Sequence, residues 1–324
     1  MPARAMPEPI GREQRARGAV MAQFVGDALC LGSHWYYNLA DRRRIYPDGV
    51  HGFEAPVAGH YHAGRQPGEP THYGDAALVL LRSVAEAGRA DPVDYGRRFV
   101  ALFAPETYRG YLDKPTRLTV QTFRDSGGDA AGFSFQQGAD DAQNVTTSRL
   151  APVVVCHAAD ADLDGIVERI TRVCQDNADA VAHALVHAHV LRRLLAGEAL
   201  EPALDAVIGG ADGPVPEALA LRYADAKAMR GVSVVEATGE FGRSCYLPST
   251  FPSLMHAALR HGDDLPTALL ECCRAGGDNA SRCAVLGAWL GAVHGIDAIP
   301  APWREQLAAR AEIEALTDRL LDVG

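Results

Sequence analysis

The sequence predicts an all-α protein, on three observations. Apolar residues recur at helical spacing in segment after segment along the 324 residues. No set of alternating segments offers strands that could pair. His60-Tyr61-His62 alternates, but nothing obvious partners it. Finally, neither a repeat of about 20–50 residues nor a linker divides the chain. One domain is therefore expected over residues 11–324, behind a flexible arm at 1–10 that carries Pro2, Pro7 and Pro9.

Hydrophobic residues make up 48% and charged residues 22%, enough to bury a sizeable core. The 31 basic and 41 acidic side chains leave a net charge of −10, which argues against a nucleic-acid or membrane partner while allowing a local basic pocket. Seven cysteines, including the pair Cys272-Cys273, follow no zinc spacing and read as reduced thiols. The apolar run 19–31 is interrupted by Asp27 and is too short to cross a bilayer. No leader or lipidation motif is read, so a cytoplasmic monomer or homodimer is expected.

Taken in order, residues 12–31 form a helix with Ala19, Phe24, Ala28 and Leu31 on one face. It ends in the polar-aromatic cluster Gly32-Ser33-His34-Trp35-Tyr36-Tyr37. Residues 41–70 lack periodicity, are rich in Gly and Pro, and hold His51, His60 and His62 without the close spacing of a zinc module. This loop leads directly into Thr71 and is expected to cover any pocket there. Thr71-His72-Tyr73-Gly74-Asp75 opens a helix over 76–87 whose apolar face is Ala77, Leu78, Leu81, Val84 and Ala85. Asp91-Pro92 starts the next helix, followed by helices over 115–123, 150–156, 163–173 and 178–195. A loop is expected over 126–141. The polar run Asp140 to Arg149, with Asn144, then precedes the apolar helix, either as an ordinary cap or as a second wall of a site. His183 and His187 share a helix face, with His189 nearby; without a zincin pattern they read as packing residues. Helices over 216–229, 252–259, 266–274 and 279–294 follow, with an amphipathic closing helix over 303–321.

The stretch Gly276-Gly277-Asp278-Asn279-Ala280-Ser281-Arg282 joins two of these helices. Alone it reads as a glycine C-cap followed by an aspartate N-cap. A carboxylate and a hydroxyl at a helix start can equally bind a metal, a sugar hydroxyl or a backbone donor. The polar turn at Thr71 and the polar helix end at His34 favour a shared pocket.

Phe24-Val25-Gly26-Asp27-Ala28-Leu29, the Thr71 turn, residues 144–152 and Gly276-Gly277-Asp278 together resemble the ADP-ribosylglycohydrolase superfamily, over about residues 18–303. Gly32-Ser33-His34-Trp35-Tyr36, Thr71 to Asp75 and Gly277-Asp278-Asn279 are similar to its J-crystallin branch. The resemblance implies a compact single-domain orthogonal helical bundle. It also implies cleavage of the bond between ADP-ribose and an acceptor, with two Mg²⁺ or Mn²⁺ ions held by Thr-Asp-Asp and by a later Asp, Asp and Thr. Here the first set is Thr71, His72 and Tyr73, followed by Gly74 where the pattern has a second Thr. The second is Asp278, Asn279, Ala280 and Ser281, and His34 stands where many members carry Glu. Thr71, Asp278 and Ser281 are the residual metal candidates. One carboxylate and two hydroxyls hold two hard cations poorly, so no cofactor is expected, Mg or Mn being the ions for which remnants survive.

Three readings follow. The first is a hydrolase or related lyase acting on an ADP-ribosyl, ribosyl or other small polar substrate, free or on an ADP-ribosylated partner, without the dinuclear site. Its catalytic residues are His72, Asp278, Tyr73 and His34. Thr71, Asp75, Asn144, Gly276, Gly277, Asn279, Ser281 and Trp35 line the substrate. A histidine titrates near neutrality and can exchange protons; Tyr73 can donate to developing charge; Asp278 can orient His72 or hold a ribose hydroxyl. The second is a catalytically lapsed, crystallin-like binding or structural protein. The third is a rebuilt Zn²⁺ or Fe²⁺ site of His34, His72 and Asp278.

Overall fold

The computed structural model describes residues 10–323, so the arm expected at 1–10 lies outside it except for Ile10. Sixteen α-helices and two short 3₁₀ turns account for the regular structure, with no strand among the described residues. The helices are α1 (Arg12–Leu29), α2 (Leu39–Ile45), α3 (His72–Ala87), α4 (Pro92–Leu102), α5 (Lys114–Asp125), α6 (Ala151–His157), α7 (Leu163–Cys174) and α8 (Ala178–Leu195). They continue as α9 (Leu200–Ile208), α10 (Glu217–Ala228), α11 (Val234–Phe241), α12 (Leu247–His261), α13 (Leu265–Arg274), α14 (Asn279–His294), α15 (Ala301–Gln306) and α16 (Arg310–Val323).

The centre is the antiparallel pair α1 and α14. Their small residues let the two backbones touch. A Cβ on Gly26 would lie 2.1 Å from the Cys283 carbonyl, one on Gly287 2.1 Å from that of Ala22, and one on Gly291 2.1 Å from that of Gly18. Spacing of four on each helix puts these contacts on one face. Because the pair is antiparallel, the C-terminal end of α1 and the N-terminal end of α14 emerge together. That places His34 beside Asp278.

Several expectations are corrected. Helix α3 begins at His72, four residues before the predicted start, because Thr71 caps it by accepting from Tyr73 N at 3.1 Å. His72 and Tyr73 are therefore first-turn residues on a rigid element. The long 41–70 stretch contains part of α2, and α9 was not foreseen; both are short. Helix α12 starts at Leu247 and runs through Pro252, with Pro248 near its N-terminus. The closing helix is two helices, broken at Leu307, where the backbone is extended and Ala308 N donates to Gly68 O at 3.0 Å. On α8, His183 packs edge-on against Phe251 at 4.7 Å and His187 faces Trp289 at 6.0 Å.

Candidate active site

Five segments meet at the shared end of α1 and α14: the turn after α1, loop 46–71, the start of α3, the start of α5 and the Gly276–Asn279 turn. Asp27, in the last turn of α1, fastens α3. Its Oδ2 accepts from Thr71 N at 2.8 Å and its Oδ1 from the Thr71 hydroxyl at 2.5 Å. Burial pushes the Asp27 carboxyl up to about 7 against the pull of those two bonds. Gly74 is required here, since a Cβ would fall 2.3 Å from Asp27 Oδ2.

His72 and Tyr73 are each 1% exposed. His72 Nε2 lies 3.0 Å from Asp113 Oδ2, a polar contact whose angle falls short of a straight hydrogen bond. Asp113 caps α5, accepting from Thr116 N at 2.7 Å and from its hydroxyl at 3.0 Å. Burial alone would raise the Asp113 carboxyl; His72, the Thr116 amide and the nearby Arg149 charge outweigh it and hold it below its usual value.

His34 and Asp278 are fully buried, with Nε2 and Oδ1 3.5 Å apart. His34 Nδ1 lies 3.0 Å from Asn279 Oδ1. The Asn279 amide nitrogen donates to Ser33 Oγ at 3.0 Å and to Cys273 O at 2.9 Å, which turns its oxygen toward His34. That network assigns the His34 proton to Nδ1, the 3.4 Å contact from Ala280 N being the weaker one, and leaves an Nε2 lone pair facing Asp278. Burial, reinforced by His62, holds His34 well below its ordinary value, so the ring is neutral. Burial likewise pushes Asp278 up to about 7, opposed by the Arg282 charge and the Ser281 hydroxyl. Asp278 makes no capping bond to the first turn of α14. Its Oδ2 accepts from Ser281 Oγ at 2.8 Å, and Ser281 accepts from Asn144 Nδ2 at 3.0 Å.

The Gly-Gly turn is locked to the other side of the site. Gly276 and Gly277 have φ of 73° and 63°, and a Cβ on Gly277 would lie 2.1 Å from Arg243 O. Trp35 N donates to Gly277 O at 2.8 Å and Gly277 N to Tyr36 O at 3.0 Å. Trp35 itself sits at φ 62°, unusual for a bulky residue, and its half-buried ring packs over the histidines. Ring centres lie 3.9 Å from His34, 5.5 Å from His62, 5.4 Å from His72 and 4.5 Å from Tyr111.

Loop 46–71 does cover the cluster. His60 Nε2 bonds the His34 carbonyl at 2.8 Å, and His62, 2% exposed, stacks 5.7 Å from both His34 and His72. Burial pushes His62 down to about 2, so it too is neutral. Buried atoms without a partner converge here: His34 Nε2, both His62 ring nitrogens, His72 Nδ1, Tyr73 Oη and Asp278 Oδ1. Next to the cluster opens a surface cavity of about 450 Å³ lined by His62, Arg65, Tyr108 and Arg109. A larger cavity of about 660 Å³, lined by Asp164, His189 and Asp212, lies elsewhere and touches none of this chemistry.

The structure thus brings together His34, His72, Tyr73, Asp278, Asn279, Ser281, Asn144, Thr71, Gly276, Gly277 and Trp35. Asp75 stands apart: its carboxylate is taken by Arg65 at 2.5 Å and by Tyr108 Oη at 2.7 Å. The partner of His72 is Asp113 and not Asp278, because Asp278 lies against His34. Asp113 and His62 were not among the predicted site residues. For Asp113 the only signal was a capping pattern before Lys114-Pro115, which says nothing of His72.

The sequence profile of the ADP-ribosylglycohydrolase family matches residues 8–324. The chain belongs to that family. Crystallin J1A of Tripedalia cystophora is 25% identical over 318 residues, covering 95% of this chain and 96% of the crystallin. Crystallin J1B of the same animal is 24% identical over 301 residues, covering 90% and 91%. A solved structure described as an ADP-ribosylglycohydrolase-related protein complex superposes with a TM-score of 0.75 at 26% identity, covering 96% of this chain and 98% of its own. The all-helical fold is that of the ADP-ribosylglycohydrolases.

The ion pair that the family resemblance implies does not fit these residues. The Thr71 hydroxyl is engaged by Asp27 and the Tyr73 amide, and the Ser281 hydroxyl by Asp278 and Asn144. Ala280 offers no side-chain oxygen. Among the described residues, no three His, Cys, Asp or Glu side chains meet at the spacing of a metal centre. The rebuilt His34-His72-Asp278 centre is likewise not assembled, since the two imidazole centres are 6.4 Å apart and His72 turns to Asp113.

Proposed function

We propose that this ADP-ribosylglycohydrolase family member is a hydrolase. It cleaves a glycosidic bond in an ADP-ribosyl, ribosyl or related small polar substrate, without a dinuclear Mg or Mn site. The observation that carries this reading is the convergence of unpartnered buried atoms on His34, His62, His72, Tyr73 and Asp278. Buried polar groups are normally paired, and an unpaired cluster in a native core implies a ligand or water that pairs it. Hydrolysis needs a base for the attacking water and a donor for the leaving group. His72, with Asp113 on Nε2, offers Nδ1 to take the proton of the water whose oxygen bonds the anomeric carbon. Asp278, whose carboxyl holds its proton near neutrality, supplies a proton to the departing atom, and Tyr73 Oη donates to charge on the sugar. The Trp35 ring and His62 must swing aside for substrate to enter.

A second reading is favoured by a different observation. Ala280 in a ligand position, a Trp35 ring seated on the cluster and two crystallin relatives suit a protein that keeps the fold without turnover. A thermal-shift series with ADP-ribose and nucleosides, followed by turnover of ADP-ribosylated arginine and serine peptides, separates the two. Ligand stabilisation and turnover lost in His72→Ala support the hydrolase; neither response in the wild type overturns it.

A further inference from the structure

The covering loop pushes a flat nitrogen ring into the middle of the site. His62 is 2% exposed, yet neither of its ring nitrogens has a partner. A buried imidazole is normally held by at least one hydrogen bond. Here shape alone holds it. The ring lies within 27° of parallel to three others: Trp35 at 5.5 Å, His34 at 5.7 Å and His72 at 5.7 Å. These are offset-stacked arrangements. His60 delivers the ring. Its Nδ1 accepts from His62 N at 3.1 Å, which leaves Nε2 to donate to His34 O at 2.8 Å. Tyr61, between the two histidines and 60% exposed, stands edge-on to Trp35 at 5.0 Å and closes the mouth. The seat of His62 therefore selects a planar ring and makes no use of its nitrogens. Substrate enters only when this loop withdraws, and the ring leaves with it.

We propose that His62 is a plug in the seat of the substrate's leaving group, and that this group is a planar nitrogen heteroaromatic base joined to ribose. The substrate class is then the N-ribosides of such bases, whether the ribose carries a 5′-hydroxyl or a pyrophosphate. This rests on the hydrolase reading above. Position decides which ring is meant. The seat adjoins His72, which acts at the anomeric carbon, and His34, which contacts Asp278. A ring held there is bonded to that carbon. The adenine of an ADP-ribosyl group is set off from it by a pyrophosphate and a second ribose. In the step, the water oxygen bonds the anomeric carbon while a water proton passes to His72 Nδ1. The carbon–nitrogen bond breaks, its electron pair goes to the ring nitrogen, and the departing base takes the Asp278 proton. His72 then gives its proton to solvent and Asp278 takes one back, so riboside and water become ribose and free base.

The test is calorimetric titration of the full-length chain with nicotinamide and, separately, with D-ribose, in wild type, His62→Ala and His62→Phe. Nicotinamide should bind His62→Ala at least about tenfold more tightly than wild type, because the plug no longer competes for the seat. His62→Phe should gain nothing, since a phenyl ring refills the space. D-Ribose affinity should stay within about twofold across the three proteins, because the sugar does not share the seat. Imidazole added as a solute should displace nicotinamide from His62→Ala. No nicotinamide binding by His62→Ala, affinity equal to wild type, or an equal gain for D-ribose would overturn the proposal. Should His62→Ala fail to fold, wild-type turnover decides. Its kcat/KM for nicotinamide riboside should exceed that for an ADP-ribosylated arginine peptide by at least about tenfold, and the reverse order would overturn the assignment. The two readings fail separately. Nicotinamide bound by His62→Ala with no riboside or peptide hydrolysed would sink the hydrolase and leave the seat; peptide turnover without any binding of the base would sink the seat and leave the hydrolase.

Discussion

At the scale of single residues, the site is a set of short polar side chains held by unusually specific neighbours. Asp113 illustrates the point. It pairs with His72 and caps α5 with the same carboxylate. Asp113→Asn should destabilise the protein by about 2–4 kcal/mol in urea titrations, the usual cost of breaking a buried charged contact plus a cap. It should also abolish turnover. His62 carries a pH prediction. Its folded value is about 2 against an ordinary 6.5, so the unfolded chain binds a proton that the folded chain does not as pH drops below about 6.5. Stability therefore falls on acidification, with a slope from this group approaching about 1.4 kcal/mol per pH unit. In His62→Phe the slope between pH 6.5 and 4.5 should be shallower by that amount; an unchanged slope would place His62 in solvent. His34, His72, Tyr73 and Asp278 were legible as a candidate set because each sits at a helix end in a polar turn. The pairing of His72 with Asp113 was not, since residues 41 positions apart reveal their contact only when the start of α3 meets the start of α5. Nor could the sequence show that Trp35 adopts a positive φ.

At the scale of elements, the close contact of α1 and α14 sets the geometry of everything above it. Gly291→Ala places a methyl group against the Gly18 carbonyl, where the Cβ would stand 2.1 Å away. The helices must separate. The expected loss is about 3 kcal/mol, the upper range for overpacking, together with loss of the His34–Asp278 contact. An Ala variant as stable as the wild type would mean the helices are not so closely packed. These two helices were readable from their long apolar and small-residue patterns. The elements that were missed or misplaced have physical reasons. Helix α2 is seven residues with three consecutive arginines and no apolar stripe. The break between α15 and α16 depends on Gly68 docking from a distant loop, which no local pattern encodes. Loop 46–71 is the element that must move. Trp35→Gly relieves the positive φ and removes the ring from the histidines, at the cost of its aromatic contacts. Amide hydrogen exchange should accelerate over residues 57–66 while α1 and α14 remain protected. Uniform acceleration would mean that the ring stabilises the whole fold and not the cover.

At the scale of the whole molecule, no helix among the described residues is long and apolar enough to cross a membrane, and the helices pack around one continuous apolar core. The fold class was legible because helical periodicity is a long-range, redundant signal, carried by many segments at once. Function was less so. Family membership supplies a scaffold, and the chemistry depends on which atoms at the α1–α14 junction remain unpaired. We propose that this junction is a buried imidazole–carboxylate site that works on an ADP-ribosyl or ribosyl substrate without divalent metal. The most direct measurement is turnover of an ADP-ribosylated peptide by chelator-treated wild-type protein, beside His72→Ala and Asp278→Ala. Turnover that survives chelation and falls by about a hundredfold or more in each variant is the expected result, in line with the loss of a general acid or base. Wild-type protein that is inert until Mg²⁺ or Mn²⁺ is added, or variants as active as the parent, would contradict it.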